Sequence, residues 1–259
     1  MSPSDTSRKR APSTNRRTKT SIPLRGGEWS TFAEWSPDLL KARVYEQILL
    51  DIILGELSPG ARLEERALTR RYDAGLAGVR DALGRLALEG LVQRRARSAT
   101  TVAPLDLVEV RQAFEARRLI EPHCAALAAL SASAEDIAAM RASFQGAEAA
   151  ALRRDFRALV GMDQRFHAAI ARASRNATLA RIVIPLQHKA ARFWVFSMAG
   201  DVDSKRIVDI EEHLAVIDRI ASHDADGART AMLGILGVTT DELRRAAVQP
   251  AGPITGRSG

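Results

Sequence analysis

The stretch GVRDALGRLALEGLVQRR, from Gly78 to Arg95, changes its hydrophobic period at a glycine, and few architectures accommodate that. Val79, Leu83 and Leu86 recur at the spacing of one helix face, and Gly90 stands where a left-handed residue ends a helix. LVQRR and TTVAP on either side of the following turn read as two brief strands. Upstream, SPDLLKARVYEQILLDIILG opens with Ser36 as N-cap and Pro37 at the first helical position. Leu40, Val44, Ile48 and Ile52 then recur at helical spacing until Gly55. In LSPGARLEERALTRRY, Pro59-Gly60 makes a turn before a second short helix from Glu64 to Tyr72.

Three short helices and a hairpin within about seventy residues predict a winged helix-turn-helix over 37–104. In that arrangement the third helix enters a groove of duplex DNA and the arginine-bearing hairpin lies along the backbone. After Pro104 the pattern becomes long Ala/Leu/Arg helices broken near SASAED, ASRNAT, AGDVDS and SHDADG. Ser133 with Asp136, and Ser174 or Asn176, are the expected caps. Six or seven antiparallel helices are expected between Asp106 and Ala247. The fold class is therefore mainly α: a winged helix-turn-helix with a small β-hairpin, then an all-α bundle over 105–247.

The charge is unevenly spread. The chain carries a formal +7, and residues 1–36 hold seven Lys/Arg against three acids. This segment, rich in Ser, Thr, Pro and Arg, reads as a mobile basic arm, with Trp29, Phe32 and Trp35 able to dock its end. Residues 248–259 read as a flexible tail. A basic chain favours an anionic partner such as nucleic acid. The single cysteine, Cys124, excludes an internal disulfide and a thiolate metal cluster, suits a reducing compartment and is expected to fill core. No apolar run approaches the ~20 residues of a membrane span, so a cytoplasmic location and no membrane partner are expected.

In the second half, Asp163 and His167 of DQRFH lie four apart and face the same way on a helix, which suits two ligands of one cation. Such pairs also arise by chance on helices. His123, His188 and His223 have no motif around them. Trp194 and Phe196 of RFWVFSM suit either core or the wall of a cavity.

Residues 43–103 resemble the DNA-binding domain of the GntR family of bacterial transcription regulators. The resemblance rests on VYEQILLDIILGELSPGARLEERAL, VRDALGRLALEGLV and the TV that closes the wing. The second half is similar to the FCD ligand-binding domain of the FadR subfamily through FEARRLIEPHCAALAA, MDQRFHAAIARASRNATLARI and EEHLAVIDRIASHDADGARTAM. The resemblance implies DNA contacts from Arg66 and Arg80, residue types suited to guanine edges or phosphates. It also places Leu76 where relatives carry a base-reading arginine, within Gly75-Leu76-Ala77-Gly78 in place of Ser-Arg-Thr-Pro. Leucine can only pack on a thymine methyl, so the operator should differ from that of relatives. Arg97 falls at the wing tip, where relatives carry glycine, and with Arg95 can meet the minor groove or phosphates.

For the bundle, the resemblance implies a metal held by Asp163, His167, His213 and a second later histidine. That last position is Ile235, which cannot coordinate, so a Zn²⁺-like ion would have three protein ligands. The alternative is a hydrogen-bonded polar cluster. Arg117 matches an arginine turned toward an acidic effector, although a structural ion pair suits it equally. The implied function is a homodimeric regulator that binds a pseudo-palindromic operator and changes its DNA affinity when a small organic acid enters the bundle. A metal-dependent hydrolase and a DNA-binding protein with a ligand-free sensor remain the other readings.

Overall fold

The computed structural model describes residues 40–94, 99–197 and 210–248. The basic arm, Ser36, Pro37, the three N-terminal aromatics, Arg95, Arg97, the AGDVDS break and the C-terminal tail lie outside the described residues.

The head is built from α1 (Leu40–Ile53), α2 (Glu65–Tyr72), α3 (Leu76–Leu88) and the strands β1 (Val92–Arg94) and β2 (Thr100–Val102). The apolar stripes predicted from spacing meet here: Val44, Ile48 and Ile52 of α1 and Val79, Leu83 and Leu86 of α3 are all buried in one core. Gly90 ends α3 at φ +78°. Its amide bonds the carbonyl of Ala87, and the Leu91 amide bonds that of Leu86, closing a Schellman cap that satisfies the last carbonyls of the helix. The chain leaves this cap directly into β1, which pairs antiparallel with β2, Val92 opposite Val102 and Arg94 opposite Thr100. The other edge of β2 is covered by the turn before α2, through Gly60 N to Val102 O, Leu63 N to Thr100 O and Val102 N to Ala61 O.

Seven helices follow among the described residues: α4 (Leu107–Ser131), α5 (Ala134–Ala142), α6 (Ala147–Leu152), α7 (Phe156–Ala173), α8 (Ala177–Ser197), α9 (Ile210–Ala221) and α10 (Ala225–Val248). Their ends carry the expected chemistry. Ser133 and Asp136 form a reciprocal capping box on α5, and Asn176 Oδ1 accepts from the Leu179 amide at 3.1 Å to open α8. Ser174 instead sits at the C-terminus of α7. Phe166 and Ile170 of α7 pack with Met140, Val216, Ile217 and Ile220 in the bundle core. Cys124 is buried there too, and burial pushes its thiol up to about 11.

Head and bundle share an apolar boundary, because Val160 of α7 and Ala191 of α8 belong to the core of the head. Ion pairs clamp its rim: Arg157 of α7 reaches Asp51 and Glu56 of the head, each at 2.6 Å.

Candidate functional site

The candidate functional residues fall in two places, one on the head and one inside the bundle. On the head, Arg66 near the start of α2 and Leu76, Ala77, Arg80 and Asp81 on α3 are exposed. Arg66 has no ion-pair partner among the described residues, whereas Arg80 Nε donates to Glu65 Oε2 at 2.8 Å. Arg85, one turn further along α3, faces inward over the Tyr45 ring at 4.3 Å and is structural.

Inside the bundle, α7 delivers Asp163 and His167 to one face, as their spacing requires, and α9 delivers His213 opposite. Asp163 Oδ1 lies 3.5 Å from His167 Nε2 and 3.4 Å from His213 Nε2. One ligand atom from each residue falls within 4.8 Å of the others. Both imidazoles are buried, and Phe166 and Phe144 wall His213 at ring-centroid distances of 4.8 and 5.3 Å. Ile235 packs against the apolar core and adds no donor.

A residue that sequence reasoning missed completes the arrangement. Glu121 of α4 is buried, with Oε2 at 2.6 Å from His167 Nδ1, and it pairs with Arg117 one turn away. The Arg117–Glu121 spacing of four was legible; the contact with His167, 46 positions on from Glu121 in the sequence, needed the α4–α7 packing. With Nδ1 facing this carboxylate, His167 turns Nε2 toward Asp163. Burial would raise the carboxyl of Glu121, but Arg117 and then His167 outweigh it and hold it at about 2. Burial would lower His167, but Glu121 and Asp163 outweigh that and raise it to about 9. Asp163, also opposed by burial, is held well below the usual carboxylate range by His167 and His213. Gln164, beside Asp163 on α7, is buried with neither amide atom partnered by protein.

Comparison with known proteins supplies the context. Residues 40–102 match the profile of bacterial regulatory proteins of the gntR family, and residues 112–237 match the FCD domain. The chain is a GntR-family transcription regulator with an FCD domain. It is 26% identical over 212 residues to the HTH-type transcriptional regulator LutR of Bacillus subtilis, covering 73% of this chain and 94% of LutR. It is 36% identical over 106 residues to Mce2R of Mycobacterium tuberculosis, covering 33% of this chain and 44% of Mce2R. Among solved structures, E. coli McbR/YncC superposes with a TM-score of 0.69 at 20% identity, covering 81% of this chain and 99% of that one, which shows a shared fold.

In this GntR-family regulator the bundle is the FCD effector-binding domain, so the cluster of Asp163, His167 and His213 lies in its sensor. The donor set of one carboxylate and two imidazoles suits a borderline divalent cation, and Glu121 provides the orienting contact such sites use. Arg117 is engaged with Glu121 on its own helix. Trp194 packs against the small core of Val110, Phe114, Ala190 and Phe193, and Phe196 is half-buried. His188, which no motif marked, is buried on α8 with Nδ1 at 2.9 Å from Glu89 Oε2, and Glu89 accepts from Tyr45 Oη at 2.7 Å. Glu89 closes the C-terminus of the recognition helix α3, so this network joins sensor to head.

Proposed function

We propose that this regulator binds duplex DNA as a homodimer at a rough palindrome and that a small organic acid, held in the FCD bundle, changes its DNA affinity. Arg66, Leu76 and Arg80 are the described DNA contacts in this reading, joined by Arg95 and Arg97 of the wing. Asp163, His167 and His213 hold one Zn²⁺-like cation. Bound there, the cation would offer open coordination positions to a carboxylate. Arg117 adds positive charge behind Glu121. The regulator is read as cytoplasmic and as having no catalytic activity, and no helix among the described residues is long and apolar enough to cross a membrane.

The observation that carries this reading is the convergence of three ligand atoms within 4.8 Å in the domain that family membership assigns to effectors. The competing reading, a sensor that binds nothing, rests on Ile235 at the position of the missing ligand. Metal content of protein purified without chelator or nickel resin separates the two. Stoichiometric zinc that Asp163→Ala abolishes supports the first, and metal-free protein in both forms supports the second. A gel shift at defined salt, using DNA upstream of the gene and a panel of organic acids, tests the regulatory step.

A further inference from the structure

The DNA-facing side of the head holds one carboxylate that contacts both elements expected to read DNA. Glu65, in the first turn of α2, places Oε2 at 2.8 Å from Arg80 Nε on α3 and Oε1 at 3.9 Å from Arg94 Nη2 on β1. Arg94 lies across α3 at Gly84, where a Cβ would meet its Nη1 at 3.5 Å, ordinary contact distance. One acidic side chain thus spans the recognition helix and the root of the wing.

We propose that Glu65 is a positioning residue for base reading: it fixes the Arg80 guanidinium so that the two Nη groups point away from the protein as a fork. Three observations converge on this. The bond is made at Nε, the guanidinium nitrogen nearest the stem, which leaves both terminal nitrogens available. A fork is the geometry that reads the O6 and N7 of guanine. Finally, of the exposed side chains of α3, Leu76, Ala77, Arg80, Asp81 and Leu88, Arg80 alone carries donors for guanine O6 and N7. An unrestrained arginine loses rotamer freedom on binding, and holding it beforehand removes part of that loss from the specific complex. Because Glu65 also faces Arg94, the same carboxylate sets the recognition helix and wing in register. A negative charge on a DNA-binding face opposes phosphate, so it costs affinity for every sequence while sharpening the choice among them.

The inference rests on the reading of Arg80 as a base contact, and the test separates the two. Full-length wild type, Arg80→Ala, Glu65→Ala and Glu65→Gln are each taken through selection from a random duplex DNA library with sequencing. Binding to one fixed scrambled duplex is measured in parallel. Wild type enriches a preferred G·C pair that Arg80→Ala erases. Glu65→Ala weakens the preference at that same pair about tenfold, in the range of one bidentate contact, while its binding to the scrambled duplex is unchanged or tighter. Glu65→Gln, whose amide oxygen still accepts from Nε, retains most of the preference. If Arg80→Ala leaves every preference intact, the base-contact reading falls and this inference with it. If Arg80→Ala erases the pair but Glu65→Ala keeps it, the positioning role alone is overturned. A uniform loss across all positions in Glu65→Ala with a lowered Tm assigns the residue to folding and overturns the role as well.

Discussion

At the scale of single residues, the chemistry of the sensor is set by which charges share low-dielectric space. His167 sits between the carboxylates of Glu121 and Asp163, and its folded pKa of about 9 exceeds the ordinary 6.5. A raised pKa means that its contribution to stability is fully present below 6.5 and is lost as pH rises through 9. Chelator-treated protein should therefore unfold at lower urea on the alkaline side of that interval, and His167→Ala should flatten the dependence. Equal urea midpoints on both sides for wild type would show that folding leaves the His167 pKa where it is in the unfolded chain. Asp163 and His167 were legible because a spacing of four fixes a common helix face whatever the fold. Glu121 was not, since the sequence marks it only as a partner for Arg117. Its second contact depends on how α4 crosses α7.

At the scale of elements, the C-terminus of α3 joins local rule to long-range contact. Gly90 at φ +78° closes the Schellman cap, and a Cβ there would also lie 3.1 Å from Lys189 Nζ, the mobile end of a long side chain. Gly90→Ala should cost about 1 kcal/mol, chiefly from the left-handed backbone, read as a lowered urea midpoint; an unchanged midpoint would refute the assignment of strain to this position. Glu89, the residue before it, binds Tyr45 and His188 in a buried network that spans both domains. Burial opposes its charge, yet the His188 hydrogen bond and charge and the Tyr45 hydroxyl hold its carboxyl below the usual value. Removing one partner of a buried pair typically costs about 3 kcal/mol or more. His188→Ala should thus destabilise the chain by roughly that amount and split a single calorimetric transition into separate head and bundle transitions. A variant that still melts in one step at the wild-type Tm would show that the apolar boundary alone couples the domains. The glycine cap was readable from sequence because it answers to backbone sterics. The His188–Glu89 contact joins positions 99 apart and left no local trace.

At the scale of the whole molecule, the head is fastened to the sensor by Val160 and Ala191 in its core, by Arg157 on Asp51 and Glu56, and by His188 on Glu89. A change in the sensor can therefore reach α3 through packed side chains rather than a loose linker. Phosphate contacts make DNA binding salt-dependent, and Arg66→Ala should lower the slope of log K against log salt by about one. Titration of a fixed duplex across a salt series measures it, and an unaltered slope would remove Arg66 from the phosphate contacts. The element types, the Gly90 cap, the Ser133–Asp136 capping box and the winged head followed from sequence, because periodicity, caps and glycine conformations act over a few residues. The tertiary structure alone decided which buried polar groups meet: Glu121 with His167, Glu89 with His188, and one carboxylate between Arg80 and Arg94. Such groups must find partners away from water, and the partner is chosen by how helices cross and not by their order along the chain.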